Sequence, residues 1–216
     1  MTAALLHQPI LHLAARPLVV EDEFNAMEYV WVTKCDRCFD RAAELVRSGQ
    51  ARRVLIVEQD ATRLTKLGIL PEWADVARRE LDIRGVVAEQ ITVVRQAGTN
   101  PWHWARSAHQ WTRSQEPLSL VVLCDRFHSR DQQLILRAKF SDRQFHATSL
   151  LALPNRRFDE TNWWRSRTGV KAFFATHYSL VYDWAIGEPM ETEWQWDPDL
   201  YEKALKERLA EPLERA

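Results

Sequence analysis

Two stretches, Arg53-Val54-Leu55-Ile56-Val57-Glu58 and Ser119-Leu120-Val121-Val122-Leu123-Cys124, each with an uninterrupted apolar run inside its polar ends, decide the fold of this chain. Neither alternates apolar with polar side chains, so neither suits a sheet with one wet face. Runs of this kind belong to strands covered on both faces, as in parallel sheets flanked by helices. Three further strands read outward from them, at Tyr29 to Thr33, Ile91 to Val94 and His146 to Leu153. Between the strands lie helical patterns. Phe39 to Arg47 is closed by Ser48 and Gly49, Pro71 opens a helix at Glu72 that ends before Gly85, and Asn100-Pro101 caps a helix running to Ser114. Ser129 is the expected cap of a helix from Arg130 to Phe140. Strands alternating with helices in this way predict βαβ units and an α/β fold around a mostly parallel five-stranded sheet.

The chain has 216 residues, 46% hydrophobic and 27% charged, which is the composition of a globular domain. Lys and Arg number 29 against 30 Asp and Glu, so there is no electrostatic case for nucleic acid. No apolar run reaches the length of a transmembrane helix, and the amino-terminal stretch, broken by His7, Gln8, His12 and Arg16, does not read as a signal peptide. Three cysteines without an export signal point to a cytoplasmic protein with reduced thiols. The expected division is one domain over residues 1–190 and an acidic tail over 191–216. The tail carries Trp194 and Trp196 and ends in a helix, Asp199 to Ala210. The stripe of Leu200, Ala204, Leu205 and Leu209 on that helix is an expected docking face for this chain or a protein partner.

Ligands of doubly wound sheets bind beyond the carboxyl ends of the strands. That rule singles out Thr33 to Arg37, Glu58 to Thr62, Arg95 to Asn100 and Cys124 to Arg130. Arg37, Arg41, His128 and Arg130 suit a phosphate or carboxylate ligand, the guanidinium groups as forked donors and His128 as a proton carrier. Two other readings stay open. Cys35-Asp36-Arg37-Cys38 has thioredoxin-like spacing, and Cys35 or Cys38 with Cys124 and His128 would form a Cys3His zinc site if the first and fourth strands are neighbours. Otherwise the three cysteines serve as small apolar residues. Of the ten tryptophans, Trp104 and Trp111 fit sheet packing, whereas Trp102 and His103 stand where a base or sugar ring could stack.

Several of these segments together resemble the YdcF-like family, the group that includes SanA and ElyC. They are Arg37 to Ile56, read as R-x3-R-A-A-E-L-x3-G-x-A-x-x-V-L-I; the Thr99 turn; Val121 to Arg130, ending in F-H-S-R; and F-D-x3-W-W-R-S-R-x-G-V from Phe158. The resemblance covers most of residues 17–187 and implies a Rossmann-like three-layer α/β sandwich of bacterial origin, often envelope-associated, that binds a nucleotide-like or S-adenosylmethionine-like ligand. It places Arg37 and Arg41 at the basic positions of the first helix, Thr99 at the threonine turn and His128 at the histidine after the fourth strand. This chain departs from the pattern where small residues are expected after the first two strands. Thr33, Lys34, Cys35 and Glu58, Gln59, Asp60 stand there instead, and Asp131 replaces an expected arginine. The resemblance therefore implies the family scaffold with a rewritten pocket, whether ligand-binding or given over to protein interaction.

Overall fold

The computed structural model describes residues 3–23, 25–35, 37–95, 98, 100–115, 118–140, 142–188 and 198–210. Five strands, β1 (Met27–Val32), β2 (Ala51–Val57), β3 (Ile91–Val94), β4 (Leu120–Asp125) and β5 (Thr148–Leu153), form one all-parallel sheet in the order β3-β2-β1-β4-β5. Each lies within two residues of its expected bounds. The apolar runs sit where double-sided burial requires them: Val54 to Ile56 and Val121 to Leu123 are inaccessible to solvent.

Helices α2 (Cys38–Arg47) and α4 (Trp73–Ile83) cover one face, where Ala42, Ala43, Leu45, Ala74, Ala77 and Leu81 meet Val30, Val32, Val54, Ile56, Val121 and Leu123. Helices α5 (Pro101–Arg113) and α6 (Ser129–Lys139) cover the other, where Ala105, Ala108, Ile135 and Leu136 meet Trp31, Leu55, Leu120 and Val122. The result is a three-layer Rossmann-like sandwich. Alanines on the inward helix faces let the backbones approach the sheet closely, and each fully buried Val, Leu or Ile contributes roughly 1.5–3 kcal/mol. Short helices α3 (Arg63–Lys66) and α7 (Asp142–His146) lie in the connections after β2 and α6.

Besides these short helices, two long ones were not legible in the sequence. The first is α1 (Ala3–Ala15), and the second is α8 (Arg167–Ile186), 20 residues through the aromatic-rich stretch. They meet in a third apolar cluster of Ala15, Leu18, Phe127, Phe158, Trp163 and Phe173. Trp163 stacks face to face on Phe173 at 3.8 Å and donates its indole N–H to the Leu11 carbonyl at 3.2 Å. The last helix, α9 (Pro198–Ala210), begins one residue earlier than expected. Arg63 pairs with its Asp199 and Glu202, and Leu200 and Leu205 remain exposed. Trp194 and Trp196 lie outside the described residues. No described helix is long and apolar enough to cross a membrane.

Ser129 does not cap α6 as expected. Asp125 accepts the Phe127 amide at 3.0 Å and starts a single 3-10 turn, Arg126–His128, from which α6 continues. The Ser129 hydroxyl instead accepts the Val20 amide at 2.7 Å, because the chain before β1 passes beside it.

Candidate functional site

The chain winds outward from β1 through β2 to β3, then returns to β4 on the other side of β1. The loops after β1 and β4 therefore part at the switch point where such sheets take ligands. Beside it, a cleft of about 500 Å³ opens over the carboxyl ends of β1, β2 and β3. Lys34, Glu58, Asp60, Trp73 and Arg95 are among its lining residues, so three of the four segments singled out in the sequence meet there.

Glu58 shapes this cleft. It is 8% exposed, and its carboxylate accepts the Ala74 amide at 2.7 Å and the Gln59 amide at 3.0 Å. It therefore occupies the amino-terminal end of α4, the place a ligand phosphate would otherwise take. Here lies the physical meaning of an acid where a small residue was expected: the helix end is already neutralised from within. Lys34 donates to the Gln59 side chain and sits 5.4 Å from the Trp73 ring centre. Burial lowers the Lys34 pKa, and the Glu58 carboxylate opposes that shift. Asp60 and Arg95 are exposed.

The β1–α2 loop is pinned to the sheet by Thr33, whose hydroxyl donates to the Leu123 carbonyl at 2.6 Å. Arg37 ends the loop with φ +60°, in the left-handed region. Among the described residues no hydrogen bond or ion pair holds its exposed side chain. Arg41, one turn on, pairs with Glu44 at 2.7 Å. Arg130 donates to the Pro17 carbonyl at 3.2 Å and to Gln133 at 3.1 Å, so the amino-terminal segment takes up its guanidinium. His128 is exposed at the start of α6, with both ring nitrogens 3.5 Å from the Thr176 hydroxyl of α8. Protein atoms crowd it enough to lower its pKa, with Asp125 opposing, so the ring is neutral at pH 7. Arg37 and Arg41 thus stand on α2, and His128 and Arg130 on α6; no direct contact joins the two pairs. Thr99 lies outside the described residues.

The structure separates the proposed zinc ligands. β1 and β4 are neighbours, as that reading required, but Cys38 faces Val30, Val32 and Leu123 on one side of the sheet. Cys124 faces Trp31 and Leu55 on the other, since successive residues of a strand point to opposite faces. Among the described residues no three His, Cys, Asp or Glu side chains are grouped to hold a metal. Cys35 and Cys38 do adjoin: the Cys35 thiol donates to the Cys38 sulfur, which raises the Cys35 pKa and lowers that of Cys38. The anion-favouring sulfur is the buried one, which does not suit attack on an external disulfide.

Trp102 is also removed from any stacking role. It is 4% exposed, and its indole N–H donates to Asp183 of α8 at 3.2 Å. His103 packs instead against Gly98, where a β-carbon would collide with its ring. Trp104 and Trp111 pack toward the sheet as their spacing implied. No protein-family model matches this sequence, and comparison with curated proteins likewise finds no match.

Proposed function

We propose that the protein binds a small anionic, nucleotide-like ligand across the loops after β1 and β2. The observation that carries this reading is the cleft of about 500 Å³ at the carboxyl edge, lined by Lys34 of the β1–α2 loop, whose last residue, the left-handed Arg37, has no side-chain hydrogen bond or ion pair among the described residues. In sheets wound this way an acid beyond the second strand takes ribose hydroxyls, and the first helix takes phosphates. Asp60 is the exposed acid beyond β2, and Arg37 and Arg41 supply the charge on α2. Glu58 already fills the end of α4, so the phosphate belongs at α2. His128, neutral and solvent-accessible after β4, is the group fitted to move a proton there, and the family resemblance adds Thr99 as a further ligand contact, while Arg130 is held by Pro17 and Gln133. The resemblance to the YdcF-like family favours a ligand from cell-envelope or polysaccharide metabolism.

Titration calorimetry with ADP tests the site. Arg37→Ala is expected to weaken binding about tenfold, roughly 1.4 kcal/mol, by removing a charge-assisted contact. Wild-type affinity in the variant removes Arg37 from the site.

A second reading, a protein-interaction module, is favoured by the outer face of α8. Phe174, Tyr178, Val181, Tyr182, Trp184 and Ile186 are all exposed there, Tyr178 at 74% and Trp184 at 77%. With aromatic side chains of about 150–250 Å², the six leave on the order of 600 Å² of apolar surface open, at the upper limit for a monomer's largest patch. Tyr178→Glu is expected to shift a self-associating wild-type protein to monomer in sedimentation velocity without lowering Tm. A wild-type protein that sediments as a monomer at about 100 μM, which bounds self-association to weaker than roughly 5.5 kcal/mol, excludes a second copy as the partner.

A further inference from the structure

At the opposite, amino-terminal edge of the sheet lies a larger cleft, of about 780 Å³. It opens below β4 and β5 between the last turns of α5 and α6 and the short helix α7. His109, Arg113, Lys139 and Arg143 are its titratable lining groups among the described residues, and none of the described lining residues is a carboxylate. In a chain whose charges nearly balance, that is a local concentration of positive potential in a concave wall, where field lines focus.

Two of the three basic side chains are uncommitted among the described residues. Lys139 is partly neutralised by Glu188 and lies 5.5 Å from the centre of the Trp102 ring. Arg113 and Arg143, both exposed, make no hydrogen bond or ion pair among the described residues. Helix dipoles account for single cations in the last turns of α5 and α6. The dipoles of α5 and α6 do not account for Arg143, which stands on the separate five-residue helix α7. His109 is positioned by Gln144, which accepts from the imidazole while donating to the Thr112 hydroxyl at 3.1 Å. Its pKa is lowered by burial and then by the Arg113 charge, as expected of a group in a positive field. Phe140, whose ring centre lies 5.7 Å from that of His109, and Leu118 supply an apolar floor.

We infer that this cleft is a second binding site, for a small molecule carrying a phosphomonoester or pyrophosphate group, held between the Arg113 and Arg143 guanidinium groups with Lys139 as a third charge. Two forked guanidiniums facing one space match phosphate oxygens in a bidentate manner that a lone ammonium does not. The volume accommodates a mononucleotide or sugar phosphate beside the phosphate group. The site is independent of the one proposed at the carboxyl edge, from which the sheet separates it.

Inorganic pyrophosphate, titrated into the metal-free full chain by calorimetry, is the probe. Arg113→Ala and Arg143→Ala are each expected to weaken binding at least tenfold, and Arg113→Lys to recover part of the loss, since the charge returns without the fork. Arg37→Ala is expected to change it less than twofold. Because Arg113 and Arg143 are exposed, unaltered melting curves are expected for all three variants. Two results overturn the inference: no heat from the wild type at about 10 mM pyrophosphate, or affinity that survives both alanine variants. Loss in Arg37→Ala alone would assign the anion to the carboxyl-edge site, upholding that site and rejecting this one.

Discussion

Gly169→Ala is expected to destabilise the protein by about 3 kcal/mol, lowering Tm by roughly 10 °C for a chain of this size, because backbone rather than side chain stands in the way. Gly169 is buried in the first turn of α8, where its amide donates to the Ser166 hydroxyl at 2.9 Å. A β-carbon there would sit 2.9 Å from both the Cα and the carbonyl carbon of Trp163, and closer still to the carbonyl oxygen. The Trp163 turn cannot withdraw, since its ring is stacked on Phe173 and its indole is bonded to Leu11. Relief requires α8 to shift as a body, which loosens the cluster that joins α1, the turn after β4 and α8. Thermal unfolding checks this. A Tm within 2 °C of wild type would show that the close approach of Gly169 and Trp163 carries no weight in the fold.

That contact also marks the limit of what the sequence discloses. The sheet was legible because the Val54 to Val57 and Leu120 to Leu123 runs have one physical explanation, burial on both faces. Asn100-Pro101 opened α5 as expected, with the Asn100 side chain accepting the His103 amide at 2.9 Å. Helix α8 was not legible because it is apolar on both sides: Phe173 and Thr176 turn inward while Phe174, Tyr178 and Val181 face solvent, so no amphipathic period stands out. In α1, Pro9 and a nearly uniform apolar composition hide the helix in the same way. The carboxyl-edge segments could be found from the strand order alone, but Glu58 reads in sequence as a surface acid. Only packing reveals that its carboxylate fills the end of α4. The basic cleft had no sequence signal at all, since His109, Arg113, Lys139 and Arg143 come from three separate helices and look there like ordinary solvated charges.

The interface between α6 and α8 carries the second large effect. Asp131 is buried there beside Asp183, with the Ser179 hydroxyl donating to it at 3.2 Å. Burial, and then the Asp183 charge, push the Asp131 carboxyl up to about 7. The protonated Asp131 donates to Asp183, which also accepts the Trp102 indole N–H, so one proton joins α5, α6 and α8. The sign follows from linkage. A folded-state pKa above the unfolded value means that the native state holds the proton more tightly. Stability is therefore lost as pH rises from the ordinary carboxylate range through 7, and no further loss comes from this group above that. Asn cannot ionise yet keeps both the donor and the acceptor. Asp131→Asn is thus expected to match wild type near pH 4 and to exceed it at pH 8 by about 1–2 kcal/mol, after allowance for solvent screening. Urea unfolding at pH 4, 5.5 and 8 measures the difference. If the gap is the same at all three values, the carboxyl pair is already ionised without penalty. If it is absent at pH 4 and widens through pH 5.5 to pH 8, the proton shared across these helices is part of what holds α8, with its exposed apolar face, against the domain.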